Sequence, residues 1–209
     1  MNPIHADAAP AGAAETAPDA AQWATTLIHS RRTTLPKRLL WPAPSAAEKT
    51  TILQAAAAAP DHDQILPWRF VEVPAHRRTD LGLAFEAALL ERDPSADDEA
   101  RQQARDKAER SPWLLLAVVR TGGEPADIAA AERVLSAGAA IQNMLLTATA
   151  LGLGSSLTSG KALQSVPLRQ LFALHPHEQA LCFINIGQLG SARKPRERPE
   201  VARYFTVLG

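Results

Sequence analysis

Asp127 to Leu151 is the longest helical pattern in the chain, and its side chains leave little room for water. Val134, Leu135, Ala139, Ile141, Leu145, Leu146 and Ala150 recur around the helical circumference with few polar positions between them. A helix that is apolar nearly all round has to be covered on most sides. In a chain of 209 residues, one domain of ordinary size, that predicts a central helix or one packed into a dimer interface. Gly152 and Gly154 are expected to end it. Just upstream, Trp113 to Val119 is a continuous apolar run, the pattern of a central strand buried on both faces.

Other elements arrange themselves around this pair. Asp19 is a plausible helix cap, and Trp23, Leu27 and Ile28 give an apolar face up to Ser30. Pro36, Pro42 and Pro44 make Arg31 to Pro44 irregular. Ser45-Ala46-Ala47-Glu48 reads as a capping box that opens a helix through Thr50 to Ala59, and Pro60 stops it. Trp68 to Val73 reads as a strand. Pro74 then starts a helix through about Leu90, with Leu81, Phe85, Ala88 and Leu89 at helical spacing. The highly charged stretch from Ser95 to Arg110 reads as a solvated helix. A short strand near Ser155 to Leu157, a helix around Pro167 to Ala173 and a strand from Ala180 to Ile186 complete the core. Gly187 to Gly209 reads as an extended arm. Four candidate strands interleaved with helices indicate a layered domain of helices and sheet.

Composition removes several classes of function. Lys and Arg balance Asp and Glu at 22 each, so no net charge favours nucleic acid or an anionic membrane as the main partner. No run reaches the ~18 apolar residues of a membrane span. Met1 to Ala20 has neither the basic start nor the apolar run of a secretory signal, and residues 1–18 read as a flexible extension ahead of a domain over 19–209. Cys182 is the only cysteine; with no disulfide to form it suits a reducing cytoplasm, and its apolar neighbours make it a small buried hydrophobe.

Four stretches carry candidate chemistry. Arg31-Arg32-Thr33 follows the first helix: a guanidinium can grip phosphate oxygens in a fork and a hydroxyl adds a short bond, although a helix carboxyl end attracts cations in any case. Pro60-Asp61-His62-Asp63 forms a polar loop ahead of Pro67-Trp68-Arg69-Phe70. His62 is there as a ligand-contacting imidazole, as a plain loop residue, or as the start of a metal site whose only nearby second histidine is His76. Leu151 to Gly160 departs from the dinucleotide fingerprint, because position 157 is Leu, and from the nucleophile elbow, because Thr158 stands where the last glycine belongs. Arg193-Lys194-Pro195-Arg196 supplies cations near the end.

Taken in order with Ala137-Gly138-Ala139-Ala140-Ile141-Gln142-Asn143, these stretches resemble the nitroreductase family of FMN-dependent oxidoreductases, and the Pro-Asp-His loop resembles its minimal single-domain members. The resemblance implies an α+β fold: a mixed central sheet surrounded by helices, a long central dimerisation helix and an extended C-terminal arm. It implies a homodimer with FMN at the subunit interface, NAD(P)H as electron donor, and a nitroaromatic, quinone or similar small molecule as acceptor, in a ping-pong cycle. FMN would contact Arg31, Arg32, Thr33, His62, Leu66, Leu157, Thr158, Ser159, Lys194 and Arg196, with no catalytic side chain and no metal. The chain departs from the family at Leu66, where Gln or Asn is usual before Pro-Trp, and at Leu157-Thr158, which replace Trp-Arg. Those departures motivate an alternative, a non-catalytic FMN-binding or sensing flavoprotein; a structural protein without flavin is the third reading.

Overall fold

The computed structural model describes residues 17–190 and 197–209. The elements are α1 (Ala17–Ser30), β1 (Leu39–Leu40), α2 (Ala46–Ala56), β2 (Trp68–Glu72), α3 (Arg78–Leu90), α4 (Asp98–Asp106), β3 (Trp113–Arg120), α5 (Ala130–Ala150), β4 (Gly154–Thr158), α6 (Val166–Leu171) and β5 (Glu178–Leu189). The expected α+β class is what forms.

Strand β3 lies between β2 and β5, and Trp113 to Val119 are all buried, as the apolar run predicted. Successive side chains on a strand point to opposite faces, and β3 divides itself accordingly. Trp113, Leu115, Ala117 and Val119 enter one core with α2 and α5, whereas Leu114, Leu116 and Val118 enter a second with α3 and α6. On the far side of β5 lie β4 and β1, and every ladder is antiparallel. The sheet is mixed only through one parallel bridge, Thr33 to Ser155. Four strands were legible; β1, two residues long among prolines, was not.

The capping box before α2 is complete: the Ser45 N–H donates to Glu48 Oε2 at 2.7 Å, and the Glu48 N–H donates to Ser45 Oγ at 3.3 Å. Helix α5 buries one stripe, including Ala137, Ile141, Met144 and Ala148, while Leu135 is 75% exposed in the single chain. Its end is a Schellman turn at Gly152 (φ +75°), where the Gly152 N–H donates to the Thr149 carbonyl and the Leu153 N–H to the Ala148 carbonyl. Gly154 does not end the helix. It begins β4, where an added Cβ would stand 2.7 Å from Leu39 Cδ2 and 2.8 Å from Leu189 Cδ2.

The charged stretch departs from a simple solvated helix. Asp97 caps α4 by accepting from the Ala100 N–H, but Ala104 and Ala108 are buried against α3. The buried Glu86 carboxylate of α3 accepts from Arg101 Nε and Arg105 Nη1, each at 2.6 Å. Those two bonds hold the Glu86 carboxyl below its ordinary pKa. Beyond α4, the Ala108 carbonyl accepts from the buried Arg78 at 2.6 Å. The expected C-terminal arm begins late, since Gly187 to Leu189 still belong to β5. Residues 197–209 are exposed throughout. The expected flexible extension lies largely outside the described residues.

Candidate functional site

The chain leaves α1 through Arg31 and Arg32 and immediately meets β4. The Thr34 N–H donates to the Ser155 carbonyl at 2.8 Å, so the Arg-Arg-Thr segment is tied to the first half of that strand. Arg32 turns its guanidinium back to the helix end, where Nη1 bonds the His29 and Arg31 carbonyls. The Arg31 carbonyl also accepts from Arg198 Nη2 at 3.2 Å, so the C-terminal segment returns to this point. Lys194 and Arg196 lie outside the described residues.

Strand β4 presents its residues alternately. Leu157 pairs with Ile184, a member of the α2/α5 core, and is 44% exposed on that face. Thr158 pairs with Phe183 of the second core. Asn185 Nδ2 fixes this end by donating to Thr158 Oγ1 at 3.1 Å and to the Ser156 carbonyl at 3.4 Å. The hydroxyl oxygens of Thr34, Ser155 and Ser156 are buried there without a hydrogen-bond partner. Beyond the bridge at Ser155, no further strand covers the outer edge of β4 among the described residues.

Between this strand end and the α3–α4 pair lies a cavity of about 490 Å³. Phe85, Leu89, Leu114, Leu163 and Phe183 give it apolar walls. Thr158, Ser159, Gln103 and Asn185 give polar groups at one side. Arg92, Lys107, Arg110 and Lys161 also line it. A few polar groups converging on an apolar concavity of this volume is the usual form of a small-molecule site. Of the predicted residues, Thr158 and Ser159 line the cavity, and Arg31 to Thr33 join it through β4.

His62 and Leu66 do not line it. They stand on the loop after α2, whose shape costs energy: Asp63, Gln64 and Leu66 all have left-handed backbone (φ 54°, 52° and 46°) at about 1–2 kcal/mol each. The loop is pinned at several points. Asp61 Oδ2 accepts from the Leu66 N–H at 2.8 Å, and Arg120 Nη2 donates to the Ile65 carbonyl at 2.9 Å. His62 Nδ1 lies 2.8 Å from Oε2 of Glu132, in the first turn of α5. That hydrogen bond, with Asp63 close by, raises the His62 pKa above its ordinary value. The Nε2 side of the ring lies 3.9 Å from Asp63 Oδ1, and Leu66 on the same loop is 61% exposed. Strained backbone of this kind persists only where the surrounding structure holds it.

Sequence reasoning missed Glu132 and most of the cavity wall. Gln103, Lys107 and Arg110 were inside the charged stretch read as solvated, and only their shared helical face could have separated them from it. Asn185 sat unnoticed in an apolar strand. Among the described residues no group of three His, Cys, Asp or Glu side chains comes together as a metal cluster, and no helix is long and apolar enough to cross a membrane. The Cys182 thiol is buried, which pushes its pKa up to about 11.

Comparison with known proteins agrees with this architecture. Residues 28–188 match the description Nitroreductase family. A protein of Haemophilus influenzae named "Putative NAD(P)H nitroreductase" is 30% identical over 83% of this chain and 92% of its own length. Among solved structures, a nitroreductase-like family protein from Bacillus cereus superposes with a TM-score of 0.74 at 19% identity, covering 88% of this chain and 95% of that one. A nitroreductase with bound FMN from Bacteroides fragilis superposes with a TM-score of 0.65 at 18% identity, covering 88% of this chain and 98% of that one. With a match spanning most of the domain and a fold that follows it, the chain belongs to the nitroreductase family.

Proposed function

We propose that this protein is an FMN-dependent oxidoreductase that passes electrons from NAD(P)H to a nitroaromatic, quinone or similar acceptor by a ping-pong cycle. The observation that carries the reading is the cavity at the uncovered end of β4, tied through Ser155 to Arg31-Arg32-Thr33. The residues present fit the cofactor. A flat tricyclic ring needs apolar faces and hydrogen-bonding groups along one edge, and the cavity has both. A ribityl phosphate needs cations and a hydroxyl within one chain's reach of that edge, and Arg31 and Thr33 supply them. Lys194 and Arg196 belong to the same phosphate site in this reading, and Arg198, two residues further on, donates to the Arg31 carbonyl.

FMN, when bound, supplies the two-electron redox chemistry between donor and acceptor. The protein's residues bind and orient. Thr158 and Ser159 would hold the polar edge of the ring, and Leu157 lies on the opposite face of the strand. The hydrophobic wall of Phe85, Leu89 and Phe183 would exclude water from the space that donor and acceptor occupy in turn. A single cavity that serves both in turn is what a ping-pong cycle needs.

His62 and Leu66 reach FMN in this reading from a second copy of the chain. Three observations support a homodimer. Both residues are exposed and away from the chain's own cavity. Trp23, Ile28 and Leu135 leave an apolar surface along α1 and α5. Tyr204, Phe205, Val207 and Leu208 are exposed at the C-terminus, between 60 and 100%. A soluble monomer rarely displays that much apolar surface.

The test is a visible spectrum of the pure protein reconstituted with FMN, followed by NAD(P)H oxidation with a quinone. Flavin uptake with turnover supports the enzyme. Tight FMN without turnover with either nicotinamide cofactor supports the non-catalytic flavoprotein, to which Leu66 and Leu157-Thr158 point. No flavin uptake overturns both.

A further inference from the structure

The cavity carries more positive charge than the cofactor reading uses. Arg92, Lys107, Arg110 and Lys161 line it, and no Asp or Glu does. Arg92 spends one guanidinium nitrogen on the Ala88 carbonyl at 2.6 Å. Among the described residues no carboxylate pairs with Lys107, Arg110 or Lys161. The nearest candidate on α3, Glu86, is turned to Arg101 and Arg105 instead. Oxidised flavin is uncharged in its ring system and the reduced ring carries at most one negative charge, while its phosphate is assigned to Arg31 and Thr33, which do not line the cavity. Four cations around an apolar concavity focus a positive field where low-dielectric walls strengthen it. That field is aimed at whatever lies against the ring.

We propose that the cavity selects electron acceptors that are planar aromatics bearing an anionic substituent, a carboxylate or sulfonate on a nitroaromatic or quinone ring. The inference rests on the cofactor reading for the redox step and on the cavity itself for the charge. Phe85, Leu89 and Phe183 take the ring, and Arg110 and Lys161 take the anion. For a nitro acceptor the first step is ArNO2 + NAD(P)H + H⁺ → ArNO + NAD(P)⁺ + H2O. One N–O bond breaks, two electrons enter the nitro group, and the oxygen leaves as water with the hydride hydrogen and one proton. The anionic substituent stays unchanged and only holds the ring in place.

The test compares para-nitrobenzoate with para-nitrobenzamide, which share size and ring but differ in charge. Affinity for the FMN-reconstituted protein is measured without NAD(P)H, by perturbation of the flavin spectrum and independently by calorimetry. Nitrobenzoate is expected to bind about tenfold more tightly, the effect of one charge-assisted hydrogen bond. In the double variant Arg110→Gln/Lys161→Gln, both exposed positions, the two ligands are expected to bind alike. Lys49→Gln, a charge change on the α2 side of the sheet, is expected to keep the preference. Equal affinities in wild type, or a preference that survives the double variant, overturns the proposal. So does a double variant that raises KM for NADPH against NADH while leaving nitrobenzoate binding intact, since the charge then serves the nucleotide. A protein that takes up no flavin yet shows the calorimetric preference overturns the cofactor reading and leaves the anion selectivity standing.

Discussion

Replacing Glu178 by glutamine removes a charge and almost no volume, and so isolates what one ion pair gives the sheet. Glu178 opens β5 and Arg69 sits on β2, with β3 running between them. The guanidinium spans that strand to make a forked pair, Nε to Oε1 at 2.6 Å and Nη2 to Oε2 at 2.8 Å. The carboxylate is 11% exposed and also accepts from the His175 N–H at 3.0 Å. Arg69, first of all, holds the carboxyl at a pKa of about 2 against an ordinary 4.5. A gap of about 2.5 units corresponds to about 3.4 kcal/mol. Because Arg69 is 41% exposed, solvent screens part of that, and about 1–3 kcal/mol is the working figure at neutral pH. The folded carboxyl keeps its charge to lower pH than the unfolded one. Its contribution is therefore complete above about 4.5 and drains away as pH falls from there toward 2. Urea denaturation of wild type and Glu178→Gln, at fixed protein and FMN concentrations, reads the difference directly. The two curves should be separated by that margin at neutral pH and converge in acid. A separation that stays constant down to the acid limit would mean lost packing rather than lost charge, and the reasoning would fail.

Arg31→Ala should weaken FMN binding about tenfold to a hundredfold, or roughly 1.5–3 kcal/mol, in a fluorescence titration; an unchanged titration removes Arg31 from the phosphate site. Glu132→Gln should move the His62 pKa down toward its ordinary value of 6.5, which an NMR titration of the imidazole reads; no movement would mean that Asp63 sets it. Leu135→Glu changes a side chain that is 75% exposed in one chain, so the protomer should still fold while light scattering reports a monomer; an unshifted dimer mass would place the interface elsewhere.

Much of the fold was legible because its signals are local. The Ser45–Glu48 box, the Gly152 stop and the apolar β3 run depend on neighbours in sequence, and each gave its element within a few residues. What escaped depends on partners far along the chain. Leu39–Leu40 is a strand only because β5 passes beside it, and Gly154 reads as a helix stop until Leu39 and Leu189 are seen pressing against it. The candidate site divides in the same way. Arg31 to Thr33 and the Thr158-Ser159 end of β4 were marked by short motifs. Gln103, Lys107 and Arg110 became wall residues only once α4 and the turn after it docked on α3; their spacing marks one shared face but not whether that face meets a cavity or the solvent. His62 was found, but its partner Glu132 lies 70 residues away.

The docking of α4 also governs how the cavity can change size. One carboxylate, Glu86, grips Arg101 and Arg105 from successive turns of the same helix. A carboxylate shared by two arginines one turn apart couples them, so a change at Glu86 reaches both at once, while the buried Ala104 and Ala108 and the Arg78 bond to the Ala108 carbonyl hold this edge independently. Outer positions of the helix can vary in sequence without touching this anchor, whereas substitution at Glu86 takes the shared partner from two arginines on the helix that walls the cavity. One wall of the cavity thus depends on a residue, Glu86, that does not itself line it.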